Sequence, residues 1–290
     1  MKYLDPKADL TFKKIFGNHP KRLISLLNAL LPLSDEEQIR EIKYLPTELV
    51  LQLEGGKNTI VDVLCTDVRD RKFCVEMQME WSDAFQQRVL FNASKLYVSQ
   101  AKKGGKYSEL QPVYSLNLIN DIFAHDTPDF IHNYRIVHDK DSNKVIEGLH
   151  FTFIELPKFT PHSIADKRMM VLWLRFLTEI NSNTKDIPAD LLNDPEIGKA
   201  VEDLEVSGFT DAELRAYDKF WDSVSVERTL LDDRYQKGMK KGRAEGIEEG
   251  MSQRSLEIAR KMLAKGMDEA SIMDMTGLTA EDIKLLKAEM

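Results

Sequence analysis

Two short stretches constrain this chain more than any others: Val61-Asp62-Val63-Leu64-Cys65 and Phe73-Cys74-Val75-Glu76-Met77-Gln78-Met79-Glu80. Side chains alternate along a strand. One face of the first stretch therefore carries Val61, Val63 and Cys65, and one face of the second carries Phe73, Val75, Met77 and Met79. The opposite faces carry Asp62 and Leu64 in one case, and Cys74, Glu76, Gln78 and Glu80 in the other. A one-residue slip would turn a whole face over, so matching the apolar faces fixes the parity of the pairing. With Val61 opposite Met77, opposed residue numbers sum to 138 and Asp62 stands opposite Glu76. Like charges opposed in a sheet are destabilising. A hard cation with oxygen ligands, Mg²⁺ or Mn²⁺, would compensate them; a simply solvated acidic face is the alternative reading of the same pattern. The register also turns Cys65 toward the valines and Cys74 toward the acids, so no disulfide is expected between them.

The flanking sequence reads as mixed α and β structure. Apolar residues from Asp9 to Leu31 fit helices broken at Gly17-Asn18-His19-Pro20, a stop and restart signal. Ser34-Asp35-Glu36-Glu37 reads as a turn or short helix start. Strands are expected over Thr47–Leu53, Thr59–Thr66 and Lys72–Glu80, with Gly55-Gly56 ending the first and Asp67–Arg71 turning between the other two. A long amphipathic helix follows from about Asp83 to Lys103, with Phe85, Val89, Ala93 and Leu96 on one stripe and Gly104-Gly105 at its end. Val113–Ile119, Asn133–His138 and His150–Glu155 read as further strands, and helices dominate from Ser163 to Lys219.

Composition shifts near Asp232, which sets the expected division: a domain over 1–231, with its core at about 1–160 and a helical extension over 161–231, and a tail over 232–290. Gly238, Gly242, Gly246 and Gly250 recur every four residues, either as a groove for a second helix or as a polar linker. Leu256 to Leu263, then Ile272 and Met275, then Thr276-Gly277-Leu278-Thr279 and Ile283 to Leu286 trace helix, glycine turn, helix. That is the outline of a helix-turn-helix, and equally of a small oligomerisation bundle that would pair two copies of the chain.

Forty basic against 48 acidic residues leave a net charge of −8, so contact with nucleic acid needs positive charge gathered locally. Such clusters exist: six basic and two acidic residues in Met1–Arg22, five and one in Asp233–Arg243, and Lys102, Lys103 and Lys106. Two cysteines exclude a disulfide framework and a four-cysteine zinc site. The six histidines lack close ligand spacing, and neither a Ser-His-Asp arrangement nor a glycine-rich phosphate loop is visible. With no leader-like segment at Met1–Pro6 and no apolar run approaching the roughly 18 residues that span a bilayer, a cytoplasmic, membrane-free protein is expected.

An aspartate in one strand of a hairpin, followed by Glu76-Met77-Gln78 in the next, resembles the PD-(D/E)xK nuclease pattern with glutamine in the lysine position. The chain is similar in particular to the Rpn-type recombination-promoting nucleases, also described as PD-(D/E)xK nuclease family transposases. Asp9-Leu10-Thr11-Phe12-Lys13-Lys14-Ile15-Phe16-Gly17, the two hairpin stretches, Arg88 with Ser94-Lys95-Leu96-Tyr97, Phe153–Phe159 and the Lys/Glu-Gly units of Lys237–Gly250 carry the similarity. The resemblance implies an α/β fold of restriction-endonuclease type, a mixed central sheet flanked by helices, with an all-helical C-terminal tail. It implies Asp62, Glu76 and Gln78 as catalytic residues; Asp62, Glu76 and Asp9 as metal ligands for Mg²⁺ or Mn²⁺; and Lys13, Arg88 and Tyr97 as DNA contacts. The implied activity is that of a Mg²⁺-dependent DNA endonuclease in recombination or mobile-element biology. The alternative is a nuclease-fold protein with a weakened site that acts as a DNA-binding or protein-interaction module.

Overall fold

The computed structural model describes residues 2–49, 59–161 and 168–288. The strand expected over Thr47–Leu53 with its Gly55-Gly56 end falls mostly outside them. Helices α1 (Asp9–Phe16) and α2 (Pro20–Leu30) are separated at the expected Gly-Asn-His-Pro. Gly17 is needed there, because a Cβ would lie 2.5 Å from the Lys13 carbonyl oxygen. Pro20 starts α2, where a missing N–H costs nothing. A 3₁₀ turn, Asp35–Glu37, carries a capping box in which Glu37 accepts from the Ser34 N–H and hydroxyl.

The central sheet contains β1 (Ile42–Tyr44), β4 (Val63–Asp67), β5 (Lys72–Gln78), β6 (Val113–Ile119), β7 (Ile131–His138) and β8 (Asp141–Glu155), in the order β1-β4-β5-β6-β8-β7. β5, β6 and β8 run parallel, and the remaining pairs are antiparallel. The sheet is therefore mixed. β2 (Glu48–Leu49) and β3 (Thr59–Ile60) form a separate two-stranded ribbon. β6 is buried along its whole length, as expected of a central parallel strand covered on both faces. α3 (Asp83–Ser99) crosses between β5 and β6, started by Ser82, whose hydroxyl accepts from the Phe85 N–H.

One sheet face carries Val63, Cys65, Phe73, Val75, Leu116, Leu118 and Ile154 against Phe12, Phe16, Leu23 and Leu27 of the first two helices and Trp173 and Phe176 of α4 (Arg168–Glu179). The other carries Leu64, Cys74 and Phe153 against Val89, Ala93 and Leu96 of α3. The two cysteines are free and lie on opposite faces.

Two expectations need correction. Thr59–Thr66 is two strands, because the chain bends at Asp62 and Val61 drops into the α3-side cluster with Leu64 and Cys74. Strict alternation would have sent Val61 to the other face with Val63. The long helix stops at Ser99, short of Lys103; the Gln100 amide exchanges two hydrogen bonds with the main chain of Gln111, and this pulls the chain out of helix. Gly104, with φ +85°, serves the turn beyond.

α5 (Ala189–Asn193) and α6 (Pro195–Glu202) complete the helical extension, and α7 (Asp211–Ala264) follows. The chain divides into compact units over 1–224 and 225–290. The composition shift at Asp232 lies within α7, a helix rather than a linker. Among the described residues nothing comes within 4 Å of a Cβ built on Gly238, Gly242, Gly246 or Gly250. In the second unit, α8 (Glu269–Thr276) and α9 (Ala280–Ala288) pack Ile272, Ile283 and Leu286 on Ala259. Gly277, at φ +69°, makes the turn between them, and Thr279 and Asp282 cap α9 reciprocally.

Candidate active site

β4 and β5 pair as Val63 with Val75, Leu64 with Cys74, Cys65 with Phe73 and Thr66 with Lys72. Each pair sums to 138, the register that the apolar faces dictate. The ladder stops at Val63, and Asp62 sits in the bend just beyond it. There its carboxylate stands in for a main-chain partner: Oδ2 accepts from the Met77 N–H at 2.8 Å. Lys13 Nζ lies 3.8 Å from Oδ1 and also pairs with Asp9 at 2.5 Å. The Asp62 side chain is only 20% exposed. Burial raises its pKa to about 6 against the opposing pull of the Met77 N–H and Lys13, with Asp9 and Glu76 adding to the rise.

Glu76 is buried on the α3 face. Asn92 Nδ2 donates to its Oε1 at 2.9 Å, and Arg88 lies 3.5 Å from Oε2. Burial raises its pKa, and Asn92 and Arg88 recover only part of the shift. Arg88 also donates to Gln78 Oε1 at 2.9 Å, while Gln78 Nε2 donates to the Glu80 carbonyl, so the glutamine amide is fixed at both ends.

Asp62, Glu76, Gln78, Lys13 and Arg88 therefore belong to one neighbourhood. Asp9 touches it through Lys13 but stays half exposed. Tyr97 is elsewhere: its ring packs against Gly148, where a Cβ would lie 3.3 Å from Cε2. Nine residues of helix separate it from Arg88, and sheet packing claims its face. Asn92 is the residue that sequence reasoning missed. Its signal is an amide at i+4 from Arg88, set inside the stripe of Val89, Ala93 and Leu96 where an apolar residue is expected.

Among the described residues no group of three or more His, Cys, Asp or Glu side chains is arranged to hold a metal ion. The donor set that is present, buried Glu76 and partly buried Asp62, both with elevated proton affinity, suits Mg²⁺ or Mn²⁺, which take one or two carboxylates and fill the other positions with water, carbonyl or phosphate oxygens. Buried acids with so few partners lower their own cost by binding a cation.

A six-stranded mixed sheet with helices on both faces, and acids at the break of a hairpin, defines a nuclease-like α/β protein of restriction-endonuclease type. The chain belongs to the PD-(D/E)XK nuclease family transposases, whose family model matches residues 6–229. Residues 252–288 match the C-terminal HTH domain of the Rpn/YhgA-like nuclease family, the segment that contains α8, the Gly277 turn and α9. Comparison with curated proteins and with solved structures gives no match. Among the described residues no helix is long and apolar enough to cross a membrane.

Proposed function

We propose that this protein is a Mg²⁺-dependent DNA endonuclease, with Mn²⁺ able to substitute, that acts in recombination or mobile-element transactions. The observation that carries the reading is the under-compensated pair Asp62 and Glu76, buried beside two cationic side chains. These two carboxylates would hold the metal, with the Met77 carbonyl as a further donor. A bound divalent ion polarises the scissile phosphate and lowers the pKa of a water.

The chain's own residues divide the rest of the work. Gln78 carries no charge, so it can orient water or a phosphate oxygen but cannot neutralise one. Arg88, tied to both Glu76 and Gln78, and Lys13, beside Asp62, supply the positive charge missing at position 78. Asn92 fixes the Glu76 carboxylate in place. The helix-turn-helix tail adds a duplex-binding element.

Incubating wild type and Asp62→Ala with supercoiled plasmid, in Mg²⁺, Mn²⁺ or EDTA, tests the proposal. Wild type nicks or linearises the plasmid in either metal, and EDTA or the substitution abolishes this. Equal cleavage by Asp62→Ala sinks the assignment; a folded wild type with no metal-dependent cleavage leaves the non-enzymatic module.

A further inference from the structure

β5 enters the sheet at Lys72 and ends at Gln78, so its two ends lie about 20 Å apart at a strand's rise. At the Lys72 end, away from the acids, two open pockets of about 710 and 640 Å³ adjoin at Gln111, which lines both. Lys72, Lys102, Lys103 and Lys106 line the first together with Tyr107. Arg69, Arg135 and His150 line the second together with Tyr114 and Tyr134. Lys102, Lys103, Lys106 and Arg135 take no ion pair among the described residues. Of the acids lining the second pocket, Glu37 is engaged by Ser34 and Glu147 by His150. Asp70 and Glu109 also line the first pocket, so lysines outnumber acids four to two there, and three arginines outnumber Glu37 and Glu147 in the second; in a chain of net charge −8 this is a local excess of positive charge.

The aromatic residues are the second observation. Tyr107 is 85% exposed and Tyr134 49%. The Tyr134 ring packs edge-on against Phe153 on the α3 face, while on the other face one row across four strands reads Phe73, Tyr114, His150, Arg135. The Phe73 and Tyr114 rings stack at 5.2 Å, and Tyr114 and His150 at 4.6 Å. Arg71 lies over the first two rings, held by Asp67 and by the Glu37 carbonyl. Phe73 and Tyr114 are buried and serve as a fixed support; the ring faces open to a base are those of Tyr107 and Tyr134.

Cations interleaved with exposed ring faces suit a polymer with phosphates on one side and free base faces on the other. Duplex DNA offers only phosphates here, because its bases are stacked on each other. We infer that this end of the sheet is a groove for single-stranded nucleic acid, distinct from the acidic site. The inference rests on the nucleic-acid reading above but does not require cleavage. A strand held there keeps the unpaired flank of a substrate in place while the acids, about 20 Å along β5, act elsewhere on it.

Fluorescence anisotropy of the full-length protein tests this, with a labelled oligothymidine and a blunt duplex of equal length, in EDTA so that nothing is cut. Tyr107→Ala with Tyr134→Ala should weaken oligothymidine binding about 5- to 100-fold without changing its salt dependence. The triple change Lys102→Gln, Lys103→Gln, Lys106→Gln should lower the slope of log K on log salt by about 2. Duplex binding by the tyrosine variant should change less than about twofold, since base stacking on tyrosine is closed to it. Arg135→Gln, at an exposed position, repeats the test should circular dichroism find another variant unfolded. Absence of oligothymidine binding by wild type, unchanged binding in folded variants, or equal loss for duplex and single strand would each overturn the groove. Asp62→Ala should keep oligothymidine binding while losing plasmid cleavage. Groove variants that lose oligothymidine binding in a protein that cuts nothing would refute the nuclease reading and leave the groove standing.

Discussion

Glu76 near the end of β5 and Glu155 at the end of β8 are carboxylates sunk at the same end of one sheet, 5% and 0% exposed. Their surroundings differ. Glu155 accepts from the Phe123 and Ala124 N–H groups and from His132, and pairs with Lys158 at 2.6 Å. Burial pushes its pKa up, but Lys158, Ala124, His132 and Phe123 together outweigh this and hold it below the ordinary value. Glu76 has Asn92 and a more distant Arg88, Asp62 has one N–H and a distant Lys13, and both stay raised. Glu155 is thus a satisfied acid that ties down the loop before β7, while Asp62 and Glu76 keep raised proton affinity. The number and closeness of partners separate the satisfied carboxylate from the two whose proton affinity stays raised.

The comparison breaks most visibly on substitution. Asp62→Ala or Glu76→Ala should lower metal-dependent cleavage on the order of 10³-fold or more, with a melting temperature unchanged or raised. Glu155→Ala should cost about 3–5 kcal/mol in denaturant unfolding, because it leaves the Lys158 charge on main-chain carbonyls alone and takes away the partner of His132 and of the Phe123 and Ala124 N–H groups. A Glu155→Ala protein as stable as wild type would remove the contrast.

The pH dependence should separate them next. Asp62 has a folded pKa raised from 3.8 to about 6, so its contribution to stability is fully present below about pH 4 and lost as pH rises through 6, at most about 3 kcal/mol. Glu155, with a lowered value, contributes stability above its unfolded value of 4.5 that is lost as pH falls. In EDTA, Asp62→Asn should therefore gain stability relative to wild type between pH 4 and 7, read from melting curves. Added Mg²⁺ should narrow that gap by favouring the ionised aspartate.

Asn92→Ala gives a finer test. It should leave Glu76 less satisfied, costing about 1–3 kcal/mol, and slow cleavage about 10- to 100-fold by loosening the carboxylate. The smallest effect belongs to Gln78: alanine there should reduce cleavage by about tenfold in a plasmid assay, and lysine should preserve or raise it, since positioning is lost in one case and charge added in the other.

The β4–β5 register was legible in the sequence because a strand's alternation is local and the apolar faces admit one parity, but the expected pairing of Asp62 opposite Glu76 is not made, since the ladder ends at Val63. The helix break at Gly17 and the Gly277 turn before the last helix were legible for the same reason: each depends on neighbours a few residues away. The bend that takes Asp62 out of the ladder was not. Val61 could pack with Val63 or with Leu64, and only α3, laid against the sheet, decided for Leu64. The approach of Lys13 to Asp62, the Asn92 bond to Glu76 and the bonds of Phe123, Ala124 and His132 to Glu155 join residues far apart in the chain. Hydrogen bonds and desolvation depend on distances in space, so tertiary packing alone decided which acids kept a raised proton affinity. The sequence by itself determined which acids share a face; the folded chain determined how many partners each one found there.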